Sequence, residues 1–170
     1  MGDVRYELIA EEDLTDETRA LAGELLFDCF GVEKARSRAW IHHPPTYRVL
    51  AWEGETLVGN EMGCVLECEP PALVYGIGDA AVRDGWRGRG VAKIMGRMTT
   101  DEGIRRKADA LLCSTVQLGH YIVAELGWEP VNGGELYLRR RFRRKHRLLH
   151  DWYVRWSSQK IVPLTIRALF

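Results

Sequence analysis

The stretch VRDGWRGRGVAKIMGRMTTDEGIRR, Val82 to Arg106, sets Gly85, Gly88 and Gly90 beside Arg87 and Arg89, immediately before an amphipathic run. Glycine allows backbone conformations that a Cβ forbids and leaves the amides open to an incoming group. A helix that starts right after such a turn has its first amides without intrahelical partners, and the positive end of its dipole favours an anion. Arg87 and Arg89 would add mobile charge beside those amides. The spacing is neither the dinucleotide G-x-G-x-x-G nor the nucleotide-hydrolysing G-K-S/T. The turn therefore points to a pyrophosphate-bearing ligand other than NAD or ATP, against the plainer reading of a strand-to-helix turn with solvated arginines.

Other reactive side chains suggest less. Cys29, Cys64, Cys68 and Cys113 form no C-x-x-C pair and no Cys/His block of zinc spacing, so reduced thiols are expected and no metal is assigned. His42 and His43, beside Pro44 and Pro45, lack a Cys or acidic cluster and read as loop residues. Trp40, Tyr47 and Trp52 could wall a substrate cleft or belong to the core.

The elements that must position the turn alternate along the chain. VRYELIA reads as a strand, and LTDETRALAGELLFDCFG as a helix entered through Thr15 and ended at Gly31. The prolines of KARSRAWIHHPPTY mark a loop. YRVLAWEG and ETLVGNEMGCVLEC are strands joined at Glu53-Gly54, and ALVYGIGDAAV leads into the glycine turn. Past it, Val91, Ile94, Met95, Met98 and Ile104 recur at helical spacing, which predicts a face packed on a sheet with Lys93, Arg97, Arg105 and Arg106 in water. ADALLCSTV reads as a buried strand, GHYIVAELG as a short helix closed by Gly127, and GELYLRRRF as a last strand. Hairpins mixed with one strand-turn-helix unit predict an α+β (mixed α/β) architecture rather than a doubly wound one.

The whole chain fits that scale. It has 170 residues, 46% of them apolar and 28% charged, as expected for one domain over residues 1–170 with a real core. Neither a long apolar span nor a secretory leader is evident, so a cytoplasmic protein with no membrane association is expected. The net charge of zero conceals an asymmetry. Arg139 to Phe170 holds ten Lys/Arg and one acid, a balance of +9, while residues 1–138 hold fourteen bases and 23 acids, a balance of −9. An acidic body suits a cationic amine. The basic C-terminal extension from about residue 143, RRKHRLLHDWYVRW and onward, is expected to be a solvated edge strand running into an amphipathic helix. It would serve a homodimer contact or an acidic carrier protein in preference to nucleic acid, and the apolar run WSSQKIVPLTIRALF would dock on the body or on a second copy.

Arg87-x-x-Gly90-x-Ala92, preceded by Ala80-Ala81-Val82 and followed by a long helix, resembles the pyrophosphate motif of the GNAT superfamily of acyl-CoA-dependent N-acetyltransferases. LLCSTVQLGHYIVAELGWEPV resembles that family's next strand and helix, closing on Gly127-Trp128, and the likeness runs over residues 45–140. The segment around Glu17, the Trp40 region and AVRDGWRG are similar to aminoglycoside 2′-N-acetyltransferases. The general layout is similar to nodulation acyltransferases that use acyl-carrier protein.

The resemblance implies a central mixed, mostly antiparallel sheet flanked by helices, with acetyl-CoA or another acyl-CoA as co-substrate. It implies pantetheine bonded to the backbone of Ala80, Ala81 and Val82. The pyrophosphate would be held by the amides of Arg87, Gly88, Arg89, Gly90, Val91 and Ala92. The reaction would be direct attack of a small-molecule amine on the thioester, which needs a neutral amine, a donor for the oxyanion and a proton for the thiolate. Asp79, the sole acid on the central strand, could take the amine proton or bind a cationic substrate. The chain departs from the family at Val123 and Val116, where many members have a tyrosine and an asparagine. His120 lies about 60° from Val123 around a helix and Tyr121 about 200°, so His120 is the better-placed substitute acid, with Tyr121, Ser114 and Thr115 as further hydroxyl donors. Loss of that tyrosine and asparagine also fits a CoA-binding sensor without catalysis.

Overall fold

The computed structural model describes residues 3–31, 44–114, 119–131, 136–139, 145–147, 152–157 and 164–167. Two compact units emerge, one of residues 1–63 and 78–99, the other of residues 64–77 and 100–170.

The first unit begins with β1 (Val4–Ala10), a single 3-10 turn (Glu11–Asp13) and helix α1 (Asp16–Phe30). Thr15 caps α1 by accepting the Thr18 amide at 3.2 Å, Asp16 and Glu17 sit in the first turn where the dipole favours them, and Gly31 stops the helix at φ +77°. Strand β2 (Tyr47–Glu53) pairs antiparallel with β1 and with β3 (Thr56–Glu69). Alternate side chains of β2 go to opposite faces. Leu50 and Trp52 pack with Ala22, Leu25 and Leu26 of α1, and Val49 and Ala51 pack with Val91 and Met95 of helix α2 (Val91–Arg105). Helices thus cover both faces, which explains why Val49 to Trp52 reads as a continuous apolar run. Tyr47 and Trp52 are core residues and not cleft walls.

In the second unit, β4 (Val74–Val82) pairs parallel with β5 (Ala110–Ser114) from Val74↔Ala110 to Ile77↔Cys113. After α3 (Gly119–Leu126) and β6 (Glu129–Pro130) come β7 (Leu136–Arg139), β8 (Lys145–Arg147), β9 (Trp152–Trp156) and β10 (Leu164–Arg167). Strand β9 inserts antiparallel between β5 and β6, and β10 lies between β3 and β7. The core here gathers Leu66, Val74, Leu112, Val154, Leu164 and Ile166. The result is a mixed, mostly antiparallel sheet flanked by helices. Among the described residues no helix is long and apolar enough to cross a membrane.

Two expectations are corrected. The segment GELYLRRRF does not hold the last strand, and the basic region does not run from its edge strand into a helix: its described parts are β8, which ends the sheet order, and then strands β9 and β10, whose Val154, Leu164 and Ile166 are buried. The buried face of α2 also differs from the apolar spacing. Ile94 and Ile104 are exposed, whereas Val91, Met95, Thr99, Glu102 and Gly103 face inward. Small residues win that face because they allow close approach: a Cβ on Gly103 would collide with Leu111, and one on Gly59 would lie 2.9 Å from Met95 Sδ. Arg105 and Arg106 both bind Glu102 at 2.6 Å, which holds that carboxyl below its usual range, the Arg105 hydrogen bond contributing most.

Candidate functional site

Strand β4 runs on for five residues after Ile77, its last pair with β5 among the described residues, through Gly78 to Val82, and passes into the turn Arg83–Gly90 and the N-terminus of α2. The junction is pinned to β3 by the Arg83 amide on the Val58 carbonyl (2.9 Å) and Arg83 Nε on the Leu57 carbonyl (3.3 Å), while an Arg83 Nη1–Asp28 contact at 3.2 Å ties it to α1. Gly88 and Gly90 take φ +75° and +82°, and a Cβ on either would meet nothing within 4 Å. Glycine is needed there for conformation, and the space in front of the turn is open. The helix proper starts with the Ile94 amide on the Gly90 carbonyl at 3.1 Å, so the glycine turn leads straight into the N-terminal end of α2.

The arginines are less mobile than their sequence context suggests. Arg87 folds back onto the turn, its Nε donating to the Val82 carbonyl at 2.9 Å and its Nη1 pairing with Asp84 at 2.8 Å. The Arg89 guanidinium sits 5.9 Å from the centre of the Trp86 ring. Arg87 therefore braces the turn, and the Val82 carbonyl is already engaged.

Asp79 lies in the run of β4 beyond its pairs with β5, 4% exposed, with φ +53°. Aspartate is among the few non-glycine residues that tolerate this region. The Asp79 carbonyl accepts Asn60 Nδ2 at 3.1 Å, so this bend is supported by a side chain of β3. The site residues Asp79, Ala80, Ala81, Val82 and Arg87 to Ala92 all belong to the first unit. His120 and Tyr121 are placed on α3 in the second unit, where Val123 is exposed. Ser114 ends β5. Thr115, Val116, Trp40, His42 and His43 lie outside the described residues.

Three polar residues next to the site were not singled out from sequence: Arg48, Asn60 and Glu61, all buried. The signal for Asn60 and Glu61 was available in GNEMG, where an amide and an acid interrupt an apolar strand between glycines. Glu61 faces α2. Thr99 Oγ1 stands 2.8 Å from both Glu61 Oε2 and the Met95 carbonyl, and the Tyr47 hydroxyl donates to the Thr99 carbonyl at 3.0 Å. Burial pushes the Glu61 carboxyl up to about 7, against a smaller opposing effect of the Thr99 hydrogen bond.

This architecture has many solved counterparts. The GNAT family N-acetyltransferase YhbS of Escherichia coli, solved in complex with CoA, superimposes with a TM-score of 0.73 at 14% identity, over 99% of this chain and 92% of that one. The fold is that of the GNAT N-acetyltransferases. A GNAT family acetyltransferase of Brucella melitensis in complex with acetyl-CoA gives a TM-score of 0.65 at 11% identity, over 92% of this chain and 91% of that one. The ribosomal-protein-S18-alanine N-acetyltransferase of Escherichia coli gives 0.61 at 10% identity, over 91% and 96%. No protein-family model and no curated protein matches the chain.

Proposed function

We propose that the protein is an N-acyltransferase that moves an acetyl or other acyl group from acyl-CoA to the primary amine of a small molecule by direct attack. The observation that carries this reading is the continuation of β4 past its last pair with β5 into a turn of positive-φ glycines at the mouth of α2. That arrangement offers strand-edge backbone groups and then a cluster of helix-end amides in sequence, which suits an extended arm ending in a pyrophosphate. The GNAT fold, solved elsewhere with CoA and acetyl-CoA, supports it.

On this reading the amides from Arg87 to Ala92 hold the pyrophosphate and the backbone of Ala80 and Ala81 holds the pantetheine arm, since the Val82 carbonyl is engaged by Arg87. Acyl-CoA supplies the activated thioester carbonyl. Asp79 is too buried for broad contact with an amine, so it acts through water as proton acceptor. His120, with Tyr121 as the alternative, gives the proton to the departing thiolate. Replacing His120 by Ala or Tyr121 by Phe would then remove the alkaline limb of the kcat profile in the variant that lacks the donor and not in the other.

The test is thermal stability with acetyl-CoA, longer acyl-CoAs and NAD. A ligand that binds only the folded state adds about 2.7 kcal/mol at a hundredfold excess over Kd, so the melting temperature should rise with CoA thioesters alone. An amine panel, aminoglycosides first, follows with release of free thiol as the readout. Absence of any shift with CoA thioesters overturns the proposal.

A further inference from the structure

The face of β3 turned away from Glu61 and α2 carries a hydrogen-bonded series that acyl transfer as described above does not use. Arg48 on β2 is 5% exposed, and its guanidinium grips Glu11 through Nε to Oε2 at 2.6 Å and Nη2 to Oε1 at 3.3 Å. Glu11 is itself held: its Oε1 accepts Arg19 Nε at 3.2 Å, its carbonyl accepts Arg19 Nη2 at 3.0 Å, and its amide donates to the Thr46 carbonyl at 3.0 Å. The remaining arm of Arg48, Nη1, donates to Asn60 Oδ1 at 3.1 Å. A guanidinium has donors only, so the amide oxygen of Asn60 must face it and the Asn60 NH₂ must face the other way. That NH₂ meets the Asp79 carbonyl.

The series therefore ends on one peptide group, at the one strand residue among the described residues of the first unit with a positive φ that is not glycine. The peptide between Asp79 and Ala80 is trans, and a trans peptide points its C=O and N–H to opposite sides. Holding the Asp79 carbonyl against Asn60 aims the Ala80 N–H away from Asn60. A buried ion pair gives little stability compared with apolar residues of the same volume. Arg48 and Glu11 thus have a poor claim as stabilisers, but they leave Asn60 a single orientation.

We infer that Glu11, Arg48 and Asn60 are positioning residues that set the plane of the Asp79–Ala80 peptide and so direct the Ala80 N–H toward the acyl-pantetheine arm of the donor. The inference rests on the acyl-CoA reading given above.

Asn60→Asp keeps the size of the side chain and its acceptor toward Arg48 while removing the donor to the Asp79 carbonyl. Titration calorimetry would compare acetyl-CoA with 3′-phosphoadenosine 5′-diphosphate, which has the pyrophosphate but no arm. The expected result is acetyl-CoA binding weakened about tenfold, the size of one lost hydrogen bond, with the diphosphate unchanged. Equal weakening of both ligands, or no change in either, overturns the inference while the wild type still binds both. A wild type that binds neither sinks the acyl-CoA reading and this inference with it. Should Asn60→Asp fail to fold, the wild-type ¹⁵N spectrum decides. The Ala80 amide resonance is expected to move on addition of acetyl-CoA and to stay put with the diphosphate, and an Ala80 amide indifferent to acetyl-CoA overturns the assignment.

Discussion

Gly90 separates two demands that the turn makes on one residue. With φ +82° and open space around it, Gly90→Ala loses only backbone ease, about 1–2 kcal/mol, visible as a lower urea midpoint at unchanged slope. Gly90→Asp adds a negative charge where the phosphates are proposed to lie, so acetyl-CoA affinity should fall further in the Asp variant than in the Ala variant. Equal affinities in the two would mean that the turn holds no anion. Residue types in this turn were readable because glycine and arginine advertise themselves. The bracing of Arg87 by the Val82 carbonyl and Asp84 was not, since a side chain that folds back on its own turn leaves no periodic trace. The same holds for Asn60, whose partners come from β2 and β4, 12 and 19 positions away in sequence.

Helix α2 joins the turn to the sheet through a carboxyl. Thr99 has one hydroxyl proton and two oxygens at 2.8 Å, so the arrangement is satisfied when Glu61 is neutral and donates to Thr99 while Thr99 donates to the Met95 carbonyl. The Glu61 carboxyl ionises near 4.5 in an unfolded chain and at about 7 in the fold. Between those values the folded state binds the extra proton, so stability falls as pH rises from 4.5 through 7 and is flat above. Relative to wild type, Glu61→Gln should be favoured by up to about 3 kcal/mol at pH 8, with the advantage vanishing near pH 4. Melting curves of the two proteins across that range check it, and parallel profiles would refute a neutral Glu61. Thr15→Ala should cost about 1 kcal/mol through loss of the α1 cap, measured by urea unfolding. Element boundaries such as α1 were legible because caps are local: Thr15 and Gly31 sit where the chain must turn. The inward face of α2 was not, because the choice between Ile94 and Thr99 depends on how closely the sheet approaches, and that distance is set by Gly59 and Gly103.

At the scale of the molecule, the basic region behaves as framework. Strand β9 fills the place between β5 and β6, and β10 lies between β3 and β7. A chain cut after residue 143 would lose both, exposing the edges of β5 and β3. It is expected to be insoluble or to lack a cooperative melt, whereas a mere docking extension could be removed without harm. Light scattering and calorimetry of the shortened protein distinguish these outcomes. The α+β class and the strand-turn-helix unit followed from local patterns. The inserted β9 did not, because strand order depends on pairings between distant segments that no window of sequence contains. That insertion also bears on biosynthesis. Some forty residues separate the close of β5 from the start of β9, and a ribosome adds roughly 5–20 residues per second. For several seconds the nascent Ala110–Ser114 segment has one flank without the strand that will cover it, in the crowded interval when chaperones sample emerging chains. Sequence changes that slow translation between Thr115 and Trp152 would lengthen that interval and lower the yield of native protein without altering a single contact in the finished fold.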